Sequence, residues 1–105
     1  MRCKRCAPLP EEVRRAADLL ERRYSVSIIV ASHAGASRFN EFRQALGPIP
    51  PNTLATRLAE LEEAGLLERH VVDARPPRVE YLLTERGRML KSVIVALESW
   101  AASAV

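Results

Sequence analysis

The chain has little of the residue types from which several kinds of site are built. Among its 105 residues there are two cysteines, two histidines and four glycines. Two cysteines cannot form a disulfide framework, and Cys3 and Cys6 stand together as a single C-x-x-C motif. The sequence has no Ser/His/Asp constellation, no pair of catalytic carboxylates and no glycine-rich phosphate loop. The chain is therefore predicted not to be an enzyme and to hold no cofactor.

Long hydrophobic runs are also missing. Arginine, glutamate or proline interrupts every apolar stretch before it reaches the length of a membrane span. There is no apolar signal-peptide core in the N-terminal sequence MRCKRCAPLPEE. We therefore expect a cytoplasmic protein that does not bind a membrane.

The excess of positive charge is small and is unevenly distributed along the chain. The chain has 16 Lys and Arg residues against 13 Asp and Glu, which gives a net charge of +3 and a mild indication of a polyanionic partner. Between residues 37 and 88, however, eight arginines are matched by eight acidic residues. A nucleic-acid surface would have to arise by sorting these charges onto different faces of the fold.

The most informative stretch is residues 52–65, NTLATRLAELEEAG. Leu54, Leu58 and Leu61 recur at helical spacing and form one apolar stripe. Two prolines precede the stretch and Gly65 closes it, as is typical of the two ends of a helix.

The polar face of this predicted helix begins with short, uncharged side chains. Asn52, Thr53 and Thr56 lie opposite the leucines, and carboxylates follow only in the second half. A helix that enters a DNA groove by its N-terminus has this order, because hydrogen-bonding groups lead and the positive end of the dipole faces phosphate. An ordinary amphipathic surface helix has the same pattern, so this stretch alone leaves both interpretations open.

The segments before this helix are predicted to be mainly helical. Residues 1–10 read as a flexible N-terminal arm and residues 11–24 as a first helix. Residues 25–33 are apolar in close succession, and periodicity alone does not separate strand from helix there. Residues 39–46 have helical spacing, and the short segment GPIPP joins them to residues 52–65 in a helix-turn-helix arrangement.

After Gly65 the pattern changes to a period of two. Residues 67–72 and 79–83 alternate as strands, and the loop DARPPR between them contains two prolines, which cannot donate hydrogen bonds within a sheet. This hairpin predicts a wing that carries Arg75 and Arg78. Thr84 is expected to cap a last helix over residues 85–102 with a broad apolar face. The predicted fold is α+β and mainly helical, a winged helix-turn-helix domain over residues 11–105.

An ordered set of residues within positions 16–100 carries a family resemblance. These residues are Arg38-Phe39, Glu41, Leu54, Arg57-Leu58, Leu61, Gly65-Leu66, Arg69, Pro77, Val79, Tyr81, Leu83-Thr84, Gly87 and Trp100. In this order they resemble the HxlR-type family of bacterial winged-helix transcriptional regulators. The resemblance implies a homodimer that binds promoter DNA through the second helix of the motif. It also makes residues 25–33 a helix and the terminal helices the dimer interface.

The residues and the resemblance together predict a transcriptional regulator that binds double-stranded DNA as a homodimer on a short inverted repeat. The predicted DNA-contacting residues are Arg38, Asn52, Thr53, Thr56, Arg57, Arg75 and Arg78. The predicted dimer interface contains Val13, Ala17, Leu20, Leu90, Ile94, Leu97 and Trp100. Arg57 has an alternative role, because Glu60 lies three residues on along the same helix and is within reach of an ion pair.

The chain departs from the family pattern at three places. Residues 21–24 are ERRY where the family usually has two glycines and Lys-Trp, so the first helix is expected to end differently. Pro50 replaces the usual serine cap of the reading helix and leaves capping to Asn52, to water or to a shifted start. A cysteine that senses oxidants in some family members aligns with Glu11, five residues after Cys6.

Two alternatives from other classes remain open. The near-zero net charge of residues 37–88 allows a winged-helix module that binds proteins without gripping DNA. Cys3 and Cys6 allow a thiol-based redox switch, since the basic residues around them favour the thiolate. A zinc site would need two further ligands, and His33 and His70 have no ligand spacing. No metal is predicted, and a small-molecule effector is left open.

Overall fold

The computed structural model describes residues 7–103 and folds them into helices and one antiparallel hairpin. In chain order the elements are α1 (Glu11–Leu20), α2 (Ser25–His33), α3 (Phe39–Leu46), α4 (Pro51–Glu63), β1 (Leu67–Val72), β2 (Arg78–Leu83), α5 (Glu85–Arg88) and α6 (Lys91–Ser103). The predicted mainly helical winged helix-turn-helix architecture is confirmed. Residues 25–33 are a helix, as the family resemblance implied.

The core lies where α2, α3 and α4 meet. The predicted leucine stripe of α4 is inside it, and Phe42 of α3 and Ile28 of α2 are fully buried with it. Because consecutive residues of α2, Ile28 and Ile29, are both buried, this helix is apolar on more than one side. A helix enclosed in this way has no polar face to mark its period, which explains why the sequence pattern was ambiguous.

The first helix ends at Leu20, so the prediction that it continues to residue 24 was wrong. Residues 21–24 form a turn, and Tyr24 within it has a φ of 75°, which a right-handed helix cannot contain. The Arg23 guanidinium lies 5.0 Å from the centre of the Tyr24 ring. The Tyr24 carbonyl then accepts the first hydrogen bond of α2 from Ile28, at 2.9 Å.

The last helix is not continuous, which corrects the prediction of one helix over residues 85–102. Thr84 caps α5 as predicted, its Oγ1 accepting a hydrogen bond from the Gly87 amide at 3.0 Å. The turn then tightens, because Met89 donates to the Arg86 carbonyl and Leu90 to the Gly87 carbonyl. A new helix, α6, begins at Lys91.

The hairpin is fastened to the helix-turn-helix. β1 and β2 pair antiparallel from Leu67 opposite Leu83 to Val72 opposite Arg78. Arg78 is therefore the first residue of β2 rather than the last residue of the loop, as had been predicted. The Tyr81 amide of β2 donates to the Ser37 carbonyl at 2.7 Å, which holds the wing beside the start of α3.

Part of the predicted organisation falls outside the described residues. Cys3, Cys6 and most of the predicted flexible arm, residues 1–10, belong to that part of the chain. Within residues 7–103, none of the helices has the length and apolar character needed to cross a membrane.

Candidate nucleic-acid interface

The turn between α3 and α4 determines how the predicted reading helix is presented. Ile49 is buried under this turn, while Gly47 adopts a left-handed φ of 78° that glycine tolerates best. Pro51 begins α4, where its missing N–H costs no hydrogen bond. Pro50 provides no side-chain cap, so the first amides of α4 are left without an internal side-chain acceptor at the cap position.

The first two turns of α4 present a small, uncharged surface. Asn52 and Thr56 are exposed, as are the alanines at 55 and 59, whereas Thr53 is half-buried. The Thr56 hydroxyl donates to the Asn52 carbonyl at 2.9 Å, so its oxygen remains available as an acceptor and its methyl group as an apolar contact. The Asn52 amide can both donate and accept. This combination is suited to the edges of bases in a major groove.

Arg57 takes the second of its two possible roles. Its Nε donates to the Arg23 carbonyl at 2.9 Å, and its terminal nitrogen lies 3.2 Å from a Glu60 carboxylate oxygen. Arg22 contacts the other oxygen of Glu60 at 3.1 Å. With only 21% of its side chain exposed, Arg57 fastens α4 to the turn between α1 and α2. These contacts give Arg57 a positioning role within the fold, and its predicted contact with DNA stays a prediction.

The arginines beside the wing differ in their partners. Arg38 and Arg78 both face Glu80, with nitrogen-to-oxygen distances of 3.9 Å and 3.3 Å. Arg75 is exposed in the wing loop, and within residues 7–103 it has no ion pair. Of the predicted arginines, Arg75 is therefore the one whose charge is directly available to a phosphate.

The start of α3 is held by a carboxylate. Glu41 accepts hydrogen bonds from the backbone amides of Ser37 and Arg38, each at 2.9 Å. These bonds favour the ionised form and lower the pKa of Glu41 below the ordinary value for a glutamate. The arrangement orders the segment from which the Arg38 side chain projects.

Sequence reasoning missed the outer face of α3. Asn40, Arg43 and Gln44 line a polar concavity of about 340 Å³ beside the turn to α4. Arg43 is exposed and makes no ion pair within the described part of the chain. No motif marked these residues, and the only signal was their place on the polar side of the helix whose other side contains Phe39 and Phe42.

The residues predicted for the dimer interface divide into two groups. Ile94 is only 6% exposed and belongs to the core of the chain itself, while Leu20 and Leu90 are half-buried against that core. Ala17 is also half-buried, and Val13, Leu97 and Trp100 are exposed, the last to 67%. Two further apolar residues that the sequence analysis did not assign to this interface, Met89 and Val93, are exposed beside them.

Comparisons with known proteins find the same arrangement elsewhere. The family model described as HxlR-like helix-turn-helix matches residues 19–105. The chain is 34% identical over 87 residues to the HTH-type transcriptional regulator YvaP of Bacillus subtilis, covering 83% of this chain and 81% of YvaP. It spans only 52–63% of the length of six other curated relatives.

Solved structures are similar over most of the chain. The reduced form of the transcriptional regulator YodB from B. subtilis has a TM-score of 0.78 at 34% identity, covering 90% of this chain and 92% of that one. The redox regulator HypR in its reduced form has a TM-score of 0.80 at 33% identity, covering 89% and 92% respectively.

Proposed function

The chain belongs to the HxlR-like helix-turn-helix family of transcriptional regulators, and from this premise we propose that it binds double-stranded DNA as a homodimer on a short inverted repeat. The family consists of regulators rather than enzymes. The observation that carries the proposal is the leading end of α4, which is exposed and uncharged while its leucine stripe is buried. In this proposal α4 enters the major groove and the wing follows the adjacent backbone. The protein would act in the cytoplasm.

The proposed contacts separate base reading from phosphate binding. Asn52, Thr53 and Thr56 supply short hydrogen-bonding side chains toward base edges. The first amides of α4 and the positive end of its dipole favour a nearby phosphate. Arg75 would bind the backbone or the minor groove next to the wing.

Three further arginines are proposed to contact phosphate, and they differ in whether an acidic partner already holds them. Arg38 and Arg78 would also meet phosphate, but each first has to part from Glu80. Arg43 lies on the flanking helix of the motif, the element that crosses the backbone in this class of protein, and we add it to the proposed phosphate contacts.

The proposed dimer uses the ends of the chain. Val13 of α1, together with Val93, Leu97 and Trp100 of α6, offers apolar surface that its own protomer leaves exposed. Beside it, α1 and α5 border a groove of about 560 Å³ whose lining includes Leu19, Leu20, Met89 and Leu90. A second copy packed across a two-fold axis would cover this surface and set two reading helices about 34 Å apart.

A binding titration tests the proposal. Fluorescence anisotropy at physiological salt would compare a labelled duplex from upstream of the protein's own coding region with a scrambled duplex of the same length and composition. We expect tighter binding to the upstream duplex, by a factor of at least about 1,000 for a specific regulator. If no candidate promoter duplex binds better than the scrambled one, the chain is better described as a winged-helix module that binds proteins.

A thiol-based switch through Cys3 or Cys6 is the second candidate function. It is supported by the likeness to solved structures of YodB in its reduced and diamide-treated forms and of HypR in its reduced and oxidised forms. It is also supported by the basic residues Arg2, Lys4 and Arg5 around the C-x-x-C motif. We propose it only as a modulation of DNA binding.

A further inference from the structure

Two arginines from different elements share one carboxylate on the surface proposed to face DNA. Arg38 projects from the start of α3 and Arg78 from the start of β2, and both Nε atoms lie within 4 Å of the same oxygen of Glu80. The Glu80 side chain is 22% exposed, whereas those of Arg38 and Arg78 are 49% and 43% exposed. The carboxylate is thus the more enclosed member, held between two outward-reaching guanidinium groups.

Backbone bonds fix this arrangement. The Tyr81 amide, next to Glu80, donates to the carbonyl of Ser37, next to Arg38. Glu41 holds the Ser37 and Arg38 amides from the other side. The hydrogen bond between β2 and the segment entering α3 therefore brings Glu80 and Arg38 within reach of each other, and their side chains meet at 3.9 Å.

The contact of Glu80 with two arginines matters for DNA binding because the surrounding region has no excess of positive charge. Residues 37–88 contain eight arginines and eight acidic residues, so this half of the protein has no net charge with which to attract DNA. A carboxylate between Arg38 and Arg78 neutralises part of the charge that a phosphate would otherwise meet. We propose that Glu80 competes with DNA phosphate for Arg38 and Arg78 and thereby limits affinity for the backbone of any sequence. The inference rests on the proposed function.

A competitor of this kind changes the balance between two terms of DNA binding. Phosphate contacts are independent of sequence, whereas base contacts from α4 are not. When phosphate contacts contribute less free energy of binding, the protein needs base contacts to remain bound to DNA. It is then not retained on the large excess of non-specific sites. Glu80 would act through the two arginines, without touching DNA itself.

The test replaces the carboxylate with an amide of the same shape, Glu80→Gln, and measures binding to the upstream and scrambled duplexes over a range of salt concentrations. We expect affinity for both duplexes to rise by a similar factor, about three- to tenfold at low salt, the scale of one unit charge a few ångströms away in water. The slope of log K against log salt should steepen by about 1 to 2, as two arginines become free to displace counterions.

Glu68→Gln is the matched control. Glu68 lies on the same face of the hairpin as Glu80, and the substitution removes one negative charge in the same way. The partner of Glu68 is His70, at 2.7 Å, and not an arginine. It should change affinity less than Glu80→Gln. In an Arg38→Gln/Arg78→Gln background, Glu80→Gln should lose most of its effect. Equal effects of Glu80→Gln and Glu68→Gln, or a gain that persists without the two arginines, would overturn the inference.

The outcomes also separate this inference from the function on which it rests. If the wild type does not discriminate between the two duplexes, the proposed function fails, whatever Glu80→Gln does. If the wild type discriminates but Glu80→Gln leaves its affinity for scrambled DNA unchanged or lower, only the role of Glu80 fails. Circular dichroism and the unfolding midpoint of each variant would verify that the changes in binding occur in folded protein.

Discussion

Gly87 lies directly against the segment that joins α4 to β1. A Cβ built on it would overlap the Leu66 carbonyl oxygen, a backbone atom that also accepts a hydrogen bond from the Thr84 amide. Alanine would favour the helix by up to about 1 kcal/mol, but the overlap should outweigh this gain. We expect Gly87→Ala to lower the free energy of unfolding by about 1–3 kcal/mol, measured by urea denaturation. Its exposed neighbour is the control: Arg86→Ala should change little, and equal stabilities of the two variants would contradict this packing.

The thiols offer a second test at the scale of single residues. Because Cys6 does not align with the family position that senses oxidants, we expect oxidation to shift DNA affinity by less than about tenfold, or roughly 1.4 kcal/mol. Anisotropy titrations before and after treatment with diamide would measure the shift. The Cys3→Ser/Cys6→Ser protein is the control and should show none. Complete release of the wild type by oxidant, abolished in the double variant, would make the switch the main function.

Arginine contacts show which part of the site the sequence could predict. Short polar side chains on α4 and arginines in the wing belong to local patterns, so the sequence alone singles them out, and their contact with DNA stays a prediction. Their partners were not all foreseen, because the contact of Arg38 with Glu80 depends on pairing between distant segments. Arg57 left two roles open, and the Arg23 carbonyl, 34 residues away in sequence, contributes to the one observed.

Among the elements, α3 depends most clearly on pH through its cap. The amides of Ser37 and Arg38 lower the pKa of Glu41, so its carboxylate stabilises the folded state above the ordinary pKa of glutamate. That stabilisation is lost as the pH falls through the lowered pKa of the folded state. We expect wild-type protein to lose more thermal stability between neutral and acidic pH than Glu41→Gln. The control is Glu62→Gln, because the Glu62 side chain makes no hydrogen bond or ion pair within residues 7–103.

Substitutions in α4 and in the wing should have different effects on DNA binding. Thr56→Ala or Asn52→Ala should reduce the preference for the best site by about 1–3 kcal/mol where a good base contact is lost, with little change in salt dependence, because neither side chain is charged. Arg75→Gln should weaken binding to all sequences alike and flatten the slope of log K against log salt by about 1. Salt titrations with upstream and scrambled duplexes measure both effects. A loss of discrimination on replacing Arg75 would reverse the assignment.

The elements also differ in how far local sequence determined them. The stripe and prolines of α4, the alternation of the hairpin and the Thr84 cap are signals contained within a few residues, and each was predicted. The turn after α1 was missed because Tyr24 in this turn adopts a left-handed backbone that most side chains avoid. The break between α5 and α6 was missed because residues 85–102 contain no proline, so no local signal marks the tightened turn at Met89 and Leu90.

At the scale of the whole molecule, the chain is more extended than a typical globular protein of its length. Its radius of gyration is 16.1 Å, whereas about 13 Å is typical for 105 residues. Within residues 91–103, α6 buries only Ile94 and leaves Val93, Val95, Leu97 and Trp100 exposed. A largely apolar helix that buries so few of its side chains within the chain is best explained by a second copy that covers it, as we propose.

The dimer can be tested through Leu97, on the exposed side of α6. A glutamate at this position would place an unpaired charge in an apolar contact, so Leu97→Glu should shift the protein from dimer to monomer in sedimentation velocity. In the proposed dimer, two linked reading helices bind the two halves of an inverted repeat. The monomer should therefore lose most of its affinity for the full site and bind a half-site as one wild-type subunit does. Glu98→Gln is the control, an exposed neighbour whose change should leave the dimer intact. If Leu97→Glu remains dimeric and keeps its affinity for the inverted repeat, the two-fold axis does not pass through α6, and the spacing of the reading helices must be set by another surface.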